Sequence, residues 1–181
     1  MSATSETLQT YAIDAAHSTA EFVVRHLVIS KVRGRFGKVA GTIHVPDGSE
    51  VPTDVTAEID ATTIDTREEQ RDGHLKSADF LHVDQHPTIT FKSTNIAGSG
   101  SSFTIVGDLT IRGVTKSVEL DAQFDGRGKD PWGGSRIAFS AETKINRKDF
   151  GLNWNQALET GGVMVSDEVR IELNVQAVLQ A

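Results

Sequence analysis

Phe103-Thr-Ile-Val-Gly-Asp-Leu-Thr-Ile111, followed by Ser117-Val-Glu-Leu-Asp-Ala-Gln-Phe124, reads as two half-buried strands joined by a turn at Gly113. In the first, Phe103, Ile105, Gly107, Leu109 and Ile111 alternate with Thr104, Val106, Asp108 and Thr110. In the second, Val118, Leu120, Ala122 and Phe124 alternate with Ser117, Glu119, Asp121 and Gln123. Side chains of a strand point to opposite faces in turn, so each apolar set shares one face. The same period recurs upstream in Thr19–Leu27, where Ala20, Phe22, Val24 and His26 share a face. It recurs at Val39–Val45, Val55–Asp60, Ile89–Asn95 and Ile137–Ile145, and finally in Val169, Ile171, Leu173, Val175 and Ala177. About eight strands of this kind predict an all-β chain with a twisted antiparallel sheet or barrel, wet on one face.

The connections agree. Asp47-Gly48, residues 98–102, Gly113 and Gly126-Arg-Gly128 are turn chemistry, and most gaps are too short for the crossover helix of a parallel sheet. Two exceptions predict short helices. Thr66-Arg-Glu-Glu69 reads as a capping box with Thr66 as N-cap, opening a helix that ends near Lys76. Asn153–Thr160, stopped by Gly161-Gly162, reads as a second. An open sheet of this many strands would leave two bare edges, so closure or sandwiching is expected. An eight-stranded barrel either fills with side chains or holds one small ligand. The inward sets contain Ala20, Gly41, Ala57, Gly107, Ala122, Ala141 and Ala177, with Phe22, Phe91, Phe103, Phe124 and Phe139 as the main aromatics. Small residues on nearly every strand point to an interior slot about 30 Å long, suited to an elongated apolar molecule. The same alternation of small and large also fits a solid core. On strand parity the candidate lining is Phe22, Val24, Phe91, Phe103, Ile105, Leu109, Phe139, Ile171 and Leu173, with His26 as a polar contact near a barrel mouth.

Composition narrows the function. The 181 residues suit one domain, and a net charge of −7 without Lys/Arg runs argues against nucleic acid and against a polybasic membrane anchor. No cysteine is present, so thiol nucleophiles and cysteine-held metals are excluded. Met1–Thr10 carries neither a basic start nor an apolar run, and no window matches a membrane span. The expectation is a cytoplasmic chain whose residues 1–10 are a flexible segment.

Candidate chemistry is thin. His82, Asp84 and His86 would point to one side of an extended segment and present three ligands to a divalent ion, the basis of an alternative reading as a metal-assisted enzyme on a hydrophobic small molecule. Pro87 follows at once and spacing suggests no fourth ligand, so a solvated loop is the plainer reading. There is no Gly-x-Ser-x-Gly elbow, and Gly126-Arg-Gly128 lacks the third glycine of a dinucleotide loop. Arg71-Asp72 and Arg147 with Asp149 read as ion pairs that fix loops across a barrel end. No catalytic residue, metal or cofactor is assigned. A second alternative is an interaction module with a solid core.

Four ordered motifs carry a family likeness. Tyr11-Ala-Ile-Asp14 with His17-Ser18, Arg71-Asp-Gly-His-Leu-Lys-Ser-Ala-Asp-Phe80 with Pro87-Thr-Ile-Thr-Phe91, Gly107–Lys116, and Ile145-Asn-Arg-Lys-Asp-Phe-Gly-Leu152 with Trp154 resemble the YceI-like family of lipocalin-like bacterial proteins. The resemblance implies a single barrel domain over residues 11–181, elongated and antiparallel. It further implies an amphiphilic long-chain lipid, a polyisoprenoid or isoprenoid quinone, bound inside for storage or transport without catalysis. At the level of the family it also implies a homodimer.

Overall fold

The computed structural model describes residues 6–27, 29–158 and 163–180. Its strands are β1 (Leu8–Ile13), β2 (Thr19–His26), β3 (Ser30–Phe36), β4 (Val39–Pro46), β5 (Asp54–Asp60) and β6 (Ile64–Asp65). They continue with β7 (Thr88–Ser99), β8 (Ser102–Ile111), β9 (Val114–Lys129), β10 (Ser135–Asn146) and β11 (Val165–Leu179). One α-helix, α1 (Glu69–Lys76), precedes β7. All pairings are antiparallel, and β1 bonds to β4 on one side and β11 on the other, which closes a ring of eight. The fold is an eight-stranded antiparallel barrel: of the sheet, barrel and sandwich that the alternation leaves open, it is the one that the family resemblance implies.

Eleven strands reduce to eight staves because three staves are broken midway. β1 and β2 follow one another along β11, β3 and β4 follow along them, and β5 and β6 along those. Two of the breaks open on an aspartate after an isoleucine. Asp14 accepts from the Ala16 N–H at 3.0 Å and Asp60 from the Thr62 N–H at 3.0 Å, each starting a single 3-10 turn. Polar stitches span the breaks. The Ser18 hydroxyl donates to the Gln176 carbonyl at 3.2 Å and accepts from its N–H at 3.1 Å, and the Gly37 N–H donates to Thr63 Oγ1 at 3.0 Å.

Several expectations are corrected. β1 begins at Leu8, inside the segment expected to be flexible; residues 1–5 lie outside the described residues. β1, β3 and β6 were not among the predicted runs. β3 hides because Gly34 occupies an inward position between Val32 and Phe36, where an apolar count sees a gap. The helix is capped by Glu68, whose carboxylate accepts from the Gln70 and Arg71 N–H groups, and not by Thr66. Residues 153–158 are not helical. A helix there would need the Leu152 and Trp154 carbonyls for amides four residues on, and the Arg147 guanidinium takes both, at 2.6 and 2.8 Å. The rest of that predicted helix, residues 159 and 160, falls outside the described residues.

The two ends differ in their cores. Tyr11, Val45, Phe103, Ile137, Phe139 and Ala177 pack at the end where β1 closes the ring. Ile64, Phe80, Leu81, Ile111, Phe150 and Leu152 pack at the other, beneath α1 and residues 77–87.

Candidate functional site

Between these clusters the interior is open, with a cavity of about 600 Å³. That is within the range of small-molecule sites, and it removes the solid-core alternative. Its wall follows β11 from Val165 to Val175. At ~3.4 Å per residue and a strand tilt of about 40°, that makes a slot on the order of 25 Å long. One end is blind. Phe103 and Phe139 meet edge to face at 6.0 Å, Phe124 stands 5.8 Å from Phe139, and Ile137 and Ala177 are sealed behind them.

The slot stays open because two aromatic rings lie flat along the wall. A Cβ on Gly34 would sit 2.2 Å from the Phe22 ring, and one on Gly107 would sit 2.4 Å from the Phe91 ring. Each glycine is the recess that takes a ring from the adjacent strand, leaving the barrel axis clear. This qualifies the reading of small residues as free volume. Ala20, Ala57, Ala122 and Ala141 do line the cavity, whereas the room at Gly107 is filled by Phe91. Ala177 belongs to the closed core, and Gly41 lets the backbone of Thr56 approach β4.

Polar groups gather at the other end. His26, Glu68, Gln70, Arg71 and Arg147 reach the cavity there, beside Trp154 and Met164. Here, among the described residues, β6 pairs only with β3, and the gap before β7 is covered by α1 and residues 77–87. Thr66, buried, ties this lid down. Its N–H donates to Asp72 Oδ1 at 2.8 Å and its hydroxyl donates to the same oxygen. Arg71 donates to the Thr66 hydroxyl through Nε and to the Thr66 carbonyl through Nη2, both at 2.8 Å. Arg71 and Asp72 therefore meet through Thr66 and do not form the expected direct pair. His74 bonds Asp79 at 2.8 Å and stacks edge-on between Phe80 and Trp154, at 5.1 and 4.5 Å.

Arg147 is buried and also departs from expectation. Its guanidinium donates to the carbonyls of Leu152, Trp154, Val165 and Ser166, with Asp167 at 3.7 Å in place of Asp149. Burial pulls its proton affinity below the ordinary guanidinium value, and the Asp167 charge acts in the opposite direction. It pins residues 147–154 to β11 at the mouth.

All ten sequence-predicted lining residues stand on the cavity wall. Phe22, Val24 and His26 come from β2, Phe91 from β7, Phe103, Ile105 and Leu109 from β8, Phe139 from β10, and Ile171 and Leu173 from β11. Glu68, Gln70, Trp154 and Met164 were missed, because they lie outside alternating runs and reach the cavity only through the lid and the chain leading into β11. His82, Asp84 and His86 are not the extended trio expected. His82 has φ +50°, its carbonyl accepts from the Gln85 and His86 N–H groups, and the segment coils. Among the described residues no three His, Asp or Glu side chains gather as a metal site.

The comparisons with known proteins agree with this architecture. Residues 11–177 match the YceI-like domain model, and the chain belongs to that family. It is 39% identical over 167 residues to the UPF0312 protein SAS2572 of Staphylococcus aureus (strain MSSA476), covering 92% of this chain and 95% of that one. Among solved structures it is similar to the Campylobacter jejuni YCEI protein, with TM-score 0.75 and 28% identity over 87% of this chain and 90% of that one. It shares the fold of Burkholderia cenocepacia BcnA, with TM-score 0.77 and 21% identity over 91% and 98% of the two chains. It also shares the fold of a polyisoprenoid binding domain from Saccharophagus degradans, with TM-score 0.67 and 17% identity over 94% and 98%.

Proposed function

We propose that this YceI-like chain binds one amphiphilic long-chain lipid, a polyisoprenoid or isoprenoid quinone, within the barrel and stores or carries it without chemical change. The carrying observation is the shape and polarity of the cavity: elongated, lined mostly by apolar side chains, closed at Phe103 and Phe139, with His26, Glu68, Arg71 and Arg147 gathered at the mouth. A long tail would lie along the slot, with its head group beside His26 and Arg71. Burying about 300 Å² of tail at ~25 cal/mol per Å² supplies on the order of 7 kcal/mol before the cost of ordering the chain. Such binding is governed by the tail. The polyisoprenoid binding described for the Saccharophagus degradans domain supports the same class of ligand on the same fold.

Organic extraction and mass spectrometry of protein from its native host, with native mass for stoichiometry, tests the proposal. One isoprenoid per chain is the expected result; a protein that neither carries such a lipid nor takes one up on exposure overturns it. Leu109 lines the slot from β8. Leu109→Trp is expected to lower uptake of a dansyl-farnesyl probe at least tenfold while the far-ultraviolet circular dichroism of the barrel persists. Unchanged uptake by the folded variant would remove Leu109 from the binding wall.

A further inference from the structure

The tip of the β2–β3 hairpin and the next segment in contact with it expose apolar side chains beside the cavity mouth. Ile29 is 90% exposed, Leu27 40% and Val163 44%. The Leu27 N–H donates to the Met164 carbonyl at 2.8 Å, which holds these residues together, and His26 and Met164 both line the cavity. The patch is therefore the rim of the opening. Leu27 also adopts φ +55°, a conformation that glycine or asparagine would take at less cost. Leu27 thus places a bulky aliphatic side chain at a position that is both exposed and conformationally costly.

Charge identifies what such a rim fits. The net charge of −7 and the lack of contiguous Lys/Arg runs argue against a polybasic anchor for the chain as a whole, but the average conceals a local excess: residues 22–38 contain Arg25, Lys31, Arg33, Arg35 and Lys38, interspersed among other residues, and no Asp or Glu. Arg25 and Lys31 are directly opposite one another across the strand pair, a like-charge arrangement that opposes hairpin formation. Arg33 and Arg35 have carboxylate neighbours, Glu172 and Asp65, whereas neither Arg25 nor Lys31 has one among the described residues. An aliphatic tip flanked by unneutralised cations matches an anionic lipid surface, whose phosphates take the cations while the tip enters the acyl boundary.

We propose that the β2–β3 hairpin docks the barrel mouth on anionic membrane, so that the slot fills from, or empties into, the bilayer and its ligand never crosses water. This rests on the lipid-binding reading above and adds where the exchange takes place. Leu27 and Ile29 insert, Arg25 and Lys31 hold the phosphates, and the polar groups at the mouth face the head-group layer.

Vesicle flotation tests it, with phosphatidylcholine vesicles containing phosphatidylglycerol against phosphatidylcholine alone. The expected result is flotation with the anionic vesicles only, weakened by salt. Ile29→Ser, at a position that covers nothing in the fold, is expected to weaken partitioning roughly tenfold, and Arg25→Gln with Lys31→Gln by at least as much. Uptake of the dansyl-farnesyl probe delivered from ethanol should be unchanged in these variants. Absence of flotation with intact probe uptake overturns the docking and leaves lipid binding standing. Flotation without probe uptake supports the docking surface and overturns the lipid-binding reading. Flotation unaffected by all three substitutions overturns the role of the hairpin. Loss of flotation accompanied by a change in native mass assigns the hairpin to a second copy of the chain, and also overturns it.

Discussion

Where β1 meets Leu179, each stave has a hydrogen-bonded neighbour on both sides, and Phe103, Phe139 and Phe124 fill the ring. At the opposite end β6 has a single partner among the described residues, and side chains on α1 and residues 77–87 replace the missing backbone ladder. The difference separates two tasks. Backbone pairing is cooperative and resists local opening, whereas a lid held by a few side-chain bonds opens at less cost without unzipping the barrel. On the lipid-binding reading proposed above, ligand traffic is expected at the second end.

Two glycines give the sharpest contrast. A Cβ on Gly41 would meet the Thr56 carbonyl at 2.1 Å and the Ala57 backbone at 2.8 Å, neither of which can step aside. Gly41→Ala is expected to destabilise the closed half by about 3 kcal/mol, read by urea unfolding. At Gly34 the obstruction is the far edge of the Phe22 ring, which is free to swing inward. Gly34→Ala is expected to cost only about 1 kcal/mol yet to narrow the slot and weaken probe binding severalfold. Equal stability losses with no change in binding would erase the distinction between a wall glycine and a ring recess.

The lid should respond more mildly. Thr66→Val keeps the shape of the side chain but removes the hydroxyl that donates to Asp72 and accepts from Arg71. A loss of about 1–2 kcal/mol is expected. Hydrogen exchange should quicken over residues 66–87 and leave β9 and β10 unchanged, with faster release of the probe. Uniform acceleration over the whole barrel would mean that the lid and staves open as one unit.

This contrast also marks what the chain discloses on its face. Alternation in β8, β9 and β11 is a local property, so one run for each of the eight staves, the inward faces and the ten wall residues could be read directly, whereas the shorter β1, β3 and β6 could not. Register is not local. That Gly34 lies opposite Phe22 follows only once the β2–β3 pairing is known, so the recesses that keep the slot open were hidden. The cap of α1 shows competition between local and distant partners: Thr66 suits an N-cap by residue type, but Asp72 and Arg71 claim its hydroxyl and the Glu68 carboxylate takes the role instead. The carbonyls that Arg147 removes from the predicted second helix are the same kind of distant claim. Asp14 and Asp60, each directly after an isoleucine, were legible signals for the stave breaks, because a side-chain acceptor for the amide two residues on starts a turn wherever it occurs.

Asp14 supplies the smallest effect, and its sign is fixed by linkage. Arg136 reaches it at 2.7 Å and His17 at 2.8 Å, and these bonds hold its carboxyl at about 2 against an ordinary 3.8. A carboxylate whose pKa is lower in the folded state stabilises the fold above its unfolded value, and that contribution disappears as pH falls through the folded one. Asp14→Asn is therefore expected to be less stable than the parent at neutral pH by about 1 kcal/mol, allowing for solvent screening at the barrel surface. The gap should narrow below pH 3.8 and close near pH 2. Urea midpoints of the two proteins across that interval provide the check. A gap that stays constant with pH would show that the Asp14 turn contributes through its geometry alone, and that the seam at the first stave break is held by Ser18 and the backbone, without help from charge.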